Sequence, residues 1–215
     1  MWAGLAPVYA KACILALRGG PHRKPAYVVT RKHDEFAWYW RETLPHTVFL
    51  APNGPQICPG APDGYQWWPV ASAAPEAIAA GVRQAAPAIN AFIDSQLARY
   101  GLADDKLALV GFSQGAMAAL HVGPRRERQL AGIVGYSGML ADPEALAADL
   151  RTKPPVLLVH GDADPVLPVA ALPQAQAALD ALGFQTSTHI SPGLGHGIDE
   201  AGLRLGEEFL TRVLA

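Results

Sequence analysis

A strand-length apolar run, Leu107-Ala108-Leu109-Val110, leads into Gly111-Phe112-Ser113-Gln114-Gly115 and out through the helix-forming run Ala116-Met117-Ala118-Ala119-Leu120-His121. Few folds accept that order. A strand that becomes a helix within five residues needs a sharp, strained reversal of the backbone, and glycines on either side remove the Cβ atoms that would collide in it. A serine at the apex of such a turn is carried to the edge of the sheet with its hydroxyl exposed, and the helix N-terminus behind it favours developing negative charge. Ser113 is therefore the candidate nucleophile.

The alternation extends over the whole chain. Strand-length runs fall at Cys13 to Leu17, Thr47 to Ala51, Lys106 to Val110, Ala131 to Tyr136, Pro155 to His160 and Gln185 to Ile190. Several are continuously apolar rather than alternating, as strands covered on both faces must be. Between them lie helical patterns. Ile78, Val82, Ala85, Ile89, Ile93, Leu97 and Tyr100 recur at steps of three and four on one stripe, with Pro87 predicting either a kink or a helix start nearby. Leu203, Gly206, Phe209, Leu210, Val213 and Leu214 share one side of a C-terminal helix. This order predicts a doubly wound, mostly parallel α/β sheet with right-handed crossovers, forming one domain over 1–215.

Composition narrows the function. Half the residues are apolar and 17% are charged, at a net charge of -2. No sustained basic face is present, which argues against a nucleic-acid partner. Arg125-Arg126-Glu127-Arg128 reads as a solvated corner after a helix. Cys13 and Cys58 are too few for a disulfide framework or a metal site. No apolar run is long enough to span a membrane, and the N-terminus lacks the basic segment of a secretory leader, so the expected location is cytoplasmic. Between Pro52 and Val70 the strand–helix pattern breaks into proline- and glycine-rich loop chemistry ending in Gln66-Trp67-Trp68-Pro69. That loop is either a surface connection pinned by its aromatics or a wall of the substrate cleft, with Trp68 lining the acyl side.

A serine hydroxyl needs a base, and the base needs an acid to orient it. Downstream of Ser113, the strand ending in His160 opens into Gly161-Asp162-Ala163-Asp164-Pro165-Val166-Leu167-Pro168, and the following strand opens into Ser191-Pro192-Gly193-Leu194-Gly195-His196-Gly197. His196 has the glycine neighbours that let a loop bring an imidazole over the sheet edge. His160 and His189 lie in strands and read as structural, His121 lies on the helix after the turn, and His22, His33 and His46 precede the serine. For the acid, Asp162 and Asp164 compete. Asp164 lies further out and precedes a proline, whereas Asp162 is placed to accept backbone hydrogen bonds in the turn. A metal reading of His160, Asp162 and Asp164 has an incomplete ligand set.

Phe49-Leu50-Ala51-Pro52, Gln66-Trp67-Trp68-Pro69, Leu109 to Gly115, His160 to Pro168 and Gly193-Leu194-Gly195-His196 together resemble the carboxylesterase/phospholipase family of α/β-hydrolases, which includes acyl-protein thioesterases. The resemblance covers roughly residues 44 to 215. It implies a cofactor-free, metal-free serine hydrolase of carboxylic esters or thioesters, with the second aspartate of the His-Gly-Asp-x-Asp segment, Asp164, as the triad acid. It also implies that the backbone N–H of Gln114 is one oxyanion donor. The front of the chain departs from the pattern, because Arg18-Gly19-Gly20-Pro21 stands where the family carries His-Gly-x-Gly, and residues 1–43 diverge, with the usual N-terminal strands reduced. Gly20 is the remaining candidate for the second oxyanion donor. The expected function is a serine carboxylesterase acting on small-molecule esters of short to medium acyl chains, with thioesters and lysophospholipids within reach, in a monomer or a homodimer. The alternative is a hydrolase-fold protein that binds an acyl ligand or a partner with catalysis impaired by the altered oxyanion segment.

Overall fold

A computed structural model describes residues 14–18, 27–28, 39–58, 64–69 and 74–215. Nine strands are defined among them: β1 (Ile14–Arg18), β2 (Tyr27–Val28), β3 (Thr47–Leu50), β4 (Gln56–Ile57), β5 (Tyr65–Gln66), β6 (Leu107–Phe112), β7 (Gly132–Tyr136), β8 (Val156–Gly161) and β9 (Thr186–Ser191). The helices are α1 (Pro75–Tyr100), α2 (Gln114–Val122), α3 (Pro143–Asp149), α4 (Ala171–Ala181) and α5 (Glu200–Val213). Seven strands form one sheet in the order β2-β3-β1-β6-β7-β8-β9, while β4 and β5 pair separately. The four strands β6 to β9 are parallel, joined by helices, in an α/β-hydrolase-like arrangement.

The apolar runs form strands because both of their faces are covered. Along β6, Leu107 and Leu109 belong to one core while Ala108, Val110 and Phe112 belong to the other. The same two-residue alternation sends Ile133 one way and Val134 and Tyr136 the other, and divides Val156 and Leu158 from Leu157 and Val159. On the first face lie α1, α2 and α4, with Val82, Ile89, Ile93, Leu120 and Leu179 in the contact. On the second lies α5, whose Phe209 and Leu210 pack with the fully buried Trp40. The Trp40 indole N–H donates to the Leu203 carbonyl at 3.0 Å, which ties the segment before β3 to the C-terminal helix.

Helix α1 is continuous from Pro75 for 26 residues and ends at Gly101 in the left-handed conformation. Pro87 lies inside it on the exposed face, where the carbonyl its ring leaves unbonded meets water. The predicted stripe is the buried one, from Ile78 to Leu97, with Tyr100 partly buried at its end.

Two expectations need correction, and β1 takes a direction that the sequence did not specify. Strand β1 is antiparallel to both of its neighbours, with Ile14 opposite Val110 and Leu17 opposite Leu107, so Arg18 lies at the end of the sheet remote from Ser113. The break between Pro52 and Val70 contains a short antiparallel pair, Gln56 opposite Gln66 and Ile57 opposite Tyr65. Arg125 and Arg126 are not a solvated corner, because their side chains are only 14% and 10% exposed. Arg126 reaches Asn90 (3.0 Å) and Asp94 (2.8 Å) on α1 and Asp104 (2.5 Å) beyond it.

Candidate active site

Ser113 sits where β6 ends and α2 begins, at φ 53° and ψ -118°, a conformation that L-residues rarely adopt. Two contacts hold it there. Its N–H continues the sheet ladder to the Tyr136 carbonyl at 2.9 Å, and its own carbonyl accepts from Ala116 and Met117 in the first turn of α2. Gly111 makes the turn sterically feasible: a Cβ there would lie 2.2 Å from the backbone of Gly115, far inside contact distance. Gln114 is the first residue of α2, so its N–H has no intrahelical acceptor by position. Its buried side chain turns the other way. Oε1 accepts from the Trp67 N–H (3.1 Å) and Nε2 donates to the Trp68 carbonyl (3.0 Å).

Asp164 and His196 arrive from the loops after β8 and β9. The Asp164 carboxylate is fully buried. Its Oδ1 accepts from the Val166 and Leu167 N–H groups (2.8 and 3.0 Å), and its Oδ2 lies 2.7 Å from His196 Nδ1. Burial alone pushes this carboxyl upward. The hydrogen bonds from Leu167, His196 and Val166, together with the charge of His196, outweigh it and hold Asp164 below the usual carboxylate range. The His196 ring packs against that of Phe112, the residue before the serine, with centroids 4.8 Å apart and planes inclined by 56°. With Nδ1 committed to Asp164, the other ring nitrogen, Nε2, is buried and has no hydrogen-bond partner among the described residues.

The two loops are bound to each other. Asp162 accepts from the Gly193 N–H at 2.6 Å, and the Ala163 N–H donates to the Leu194 carbonyl at 3.0 Å. Gly161 lies so close beneath the second loop that a Cβ would fall 2.1 Å from the Leu194 carbonyl oxygen. Buried Ser137, at the end of β7, donates to the Gly197 carbonyl at 3.1 Å, which pins the residue after His196.

Asp164 and His196 are thus in direct contact, and Ser113 and Gln114 are at the same carboxyl edge of the parallel sheet. Asp162 serves the loop backbone, not the imidazole, and no group of three or more His, Cys, Asp or Glu among the described residues converges on a metal position. Trp68 is in the core, 3% exposed, with its indole edge against Gly81 of α1 and not on an open wall. Gly20 lies outside the described residues. Sequence reading assigned His160 a structural place and overlooked that its Nε2 lies 3.2 Å from Asp164 Oδ2. The only signal for it was its spacing of four before Asp164 at the mouth of a buried strand.

Comparison with known proteins agrees with this frame. Residues 32–214 match the family described as phospholipase/carboxylesterase. An acyl-protein thioesterase 1 from Gibberella zeae is 30% identical over 119 residues, 53% of this chain and 51% of that protein. One from Neurospora crassa is 28% identical over 193 residues, 82% of this chain and 78% of that protein. The chain thus spans from about half to about four-fifths of the length of these relatives. The crystal structure of esterase PE8 superposes with a TM-score of 0.84 at 35% identity, covering 96% of this chain and 100% of that one. Sheet and relatives together define the class, the α/β-hydrolase-like carboxylic ester hydrolases. Within that class the chain belongs to the phospholipase/carboxylesterase family.

Proposed function

We propose that the chain is a serine carboxylesterase in which Ser113, His196 and Asp164 form the catalytic triad, acting on small-molecule esters or thioesters of short to medium acyl length. One observation carries this reading: Asp164 holds His196 by Nδ1 at 2.7 Å, leaving Nε2 buried and without a hydrogen-bond partner among the described residues, on a ring packed against Phe112, next to the strained serine. An imidazole so held is oriented to accept a proton from the serine side.

Ser113 Oγ would attack the acyl carbonyl as its proton passes to His196 Nε2, and the negative charge would collect on the former carbonyl oxygen. The Gln114 N–H at the start of α2 would donate to that oxygen. Collapse of the adduct breaks the bond to the alkoxide or thiolate, which takes the proton from Nε2. Water then enters, gives its proton to Nε2 and attacks the acyl-enzyme, and the acid leaves with Ser113 reprotonated. Asp164 stays ionised throughout and balances the imidazolium.

A second reading is favoured by the direction of β1, which carries Arg18 away from the serine. Removing one oxyanion donor costs about a hundred- to a thousandfold in turnover, so a protein reduced to one donor would bind acyl groups and turn them over poorly. Hydrolysis of p-nitrophenyl esters of increasing chain length, with Ser113→Ala beside the wild type, separates the two. Cleavage abolished in the variant, together with fluorophosphonate labelling of Ser113, supports the esterase. A folded wild type that neither cleaves nor labels supports the binder. Cleavage retained by pure Ser113→Ala overturns the triad.

A further inference from the structure

We infer that His160 is a positioning residue for the triad acid, its Nε2–H holding the Asp164 oxygen that faces His196. The inference rests on the triad proposed above and adds to it a second imidazole on the same carboxylate. His160 is the last residue but one of the fully buried strand β8, with its side chain 1% exposed. Its Nε2 lies 3.0 Å from the Leu167 carbonyl oxygen and 3.2 Å from Asp164 Oδ2. Both neighbours are acceptors only, since Asp164 is ionised and a carbonyl has no proton to give. Nε2 must therefore carry the hydrogen, which bonds the Leu167 carbonyl while the positive edge of the ring faces Oδ2.

Three contacts then close a ring. The Leu167 N–H donates to Asp164 Oδ1, the Leu167 carbonyl accepts from His160, and His160 reaches Asp164 Oδ2. The carboxylate accepts from Val166 and Leu167 on Oδ1 and from His196 on Oδ2, and His160 Nε2 stands 3.2 Å from that second oxygen. A carboxylate so bounded cannot rotate about its Cβ–Cγ bond without breaking its hydrogen bonds to Val166, Leu167 and His196 and losing the contact with His160. Oδ2 is thereby fixed in the plane from which it meets His196 Nδ1. A purely space-filling histidine would need none of this, since the rest of its surroundings is apolar. Ala116 and Leu120 of α2, Met139 after β7, Leu158 of β8, and Leu172 and Ala175 of α4 line the cleft it borders. Among these walls no group titrates, so Asp164, and His196 through it, are the ionisable groups His160 faces.

The test uses the full chain and two kinds of readout. Histidine 15N shifts of the wild type are expected to give His160 as the Nε2–H tautomer, and the proton bridging His196 and Asp164 is expected as a low-field 1H resonance. Both survive in Ser113→Ala, so they do not depend on turnover. In His160→Leu the low-field resonance should shift or broaden and kcat fall about ten- to a hundredfold with KM little changed. The acid limb of the pH–rate profile should move to higher pH, because Oδ2 relieved of that contact attracts the imidazolium more strongly. In His160→Gln, whose amide N–H can reach the same oxygen, kcat should return to within about threefold of wild type. An Nδ1–H tautomer at His160 overturns the inference, as does an unchanged low-field resonance in a folded His160→Leu. If His160→Leu does not fold, the tautomer and the His160→Gln rate decide. Should the wild type show the tautomer and the resonance but hydrolyse no ester, the esterase reading fails and the positioning role stands.

Discussion

Ser113 occupies a backbone conformation that costs an L-residue about 1–3 kcal/mol, and in the proposed mechanism that conformation serves to present its hydroxyl. The expectation at this position is a separation of activity from stability. Ser113→Ala should be inactive with unfolding close to wild type, because alanine keeps the same strained backbone. Ser113→Gly should be equally inactive yet more stable than Ser113→Ala by about 1 kcal/mol, since glycine relaxes there. Urea unfolding of the two variants side by side measures the difference, and equal midpoints would mean that the turn is not strained. The elbow residues were legible in the sequence because their constraint is local: Gly111, Ser113 and Gly115 answer to one turn. The side chain of Gln114 was not legible. Its amide bonds to Trp67 and Trp68, 47 and 46 residues away, and nothing near position 114 records them. Trp68 misled for the same reason, because a tryptophan in a loop carries no mark of whether it faces a cleft or, as here, the helix at Gly81.

At the scale of elements, the parallel half of the sheet follows from patterning alone. The predicted runs and the observed strands β6 to β9 agree within a residue or two; β6, β7 and β8 are buried on both faces and apolar almost throughout, while β9 is a polar, largely exposed edge strand. Pairing direction is another matter. Leu15 and Leu17 would read alike in either orientation, so the antiparallel course of β1 had no local signature. The arginines after α2 show how sequence can suggest solvent where the structure uses burial. Arg126 joins α1 to the turn before β6, and Asp104, its partner, is only 11% exposed. Breaking that pair leaves a charge with no compensation in a place that water reaches poorly. Arg126→Met is expected to lower the stability by about 3 kcal/mol, whereas Arg204→Ala, at an exposed helix pair, should change it by less than about 0.5 kcal/mol. Chemical denaturation of both variants gives the contrast, and a tolerant Arg126→Met would show the cluster to be surface chemistry after all.

For the molecule as a whole, pH enters stability through a buried histidine outside the proposed triad. His121 on α2 is 7% exposed, and its Nδ1 has no hydrogen-bond partner among the described residues. Burial, reinforced by Arg125 and Arg83, lowers its pKa from 6.5 to about 4. In the unfolded chain the ring takes up a proton below its ordinary pKa, while in the folded chain it stays neutral until about pH 4. Stability is therefore full above about pH 6.5 and declines as the pH falls from there towards 4, by about 2 kcal/mol between pH 7 and pH 5 from this group. His121→Gln should flatten that part of the profile. Guanidinium unfolding at the two pH values measures it, and an equal loss in wild type and variant would assign the acid sensitivity elsewhere. No helix among the described residues is long and apolar enough to cross a membrane.

The contacts between the loops that follow β8 and β9 bear on how such a chain can be recombined. Asp162 with Gly193, Ala163 with Leu194, and the bare Cα of Gly161 under the Leu194 carbonyl make the two segments one inherited block, although 31 positions separate the first pair. A chimera that imports either segment alone from a relative breaks this stitching and displaces the imidazole from its carboxylate. One that imports both carries Asp164 and His196 across together, so the crossover points of a viable shuffling library fall outside the pair and never between its halves.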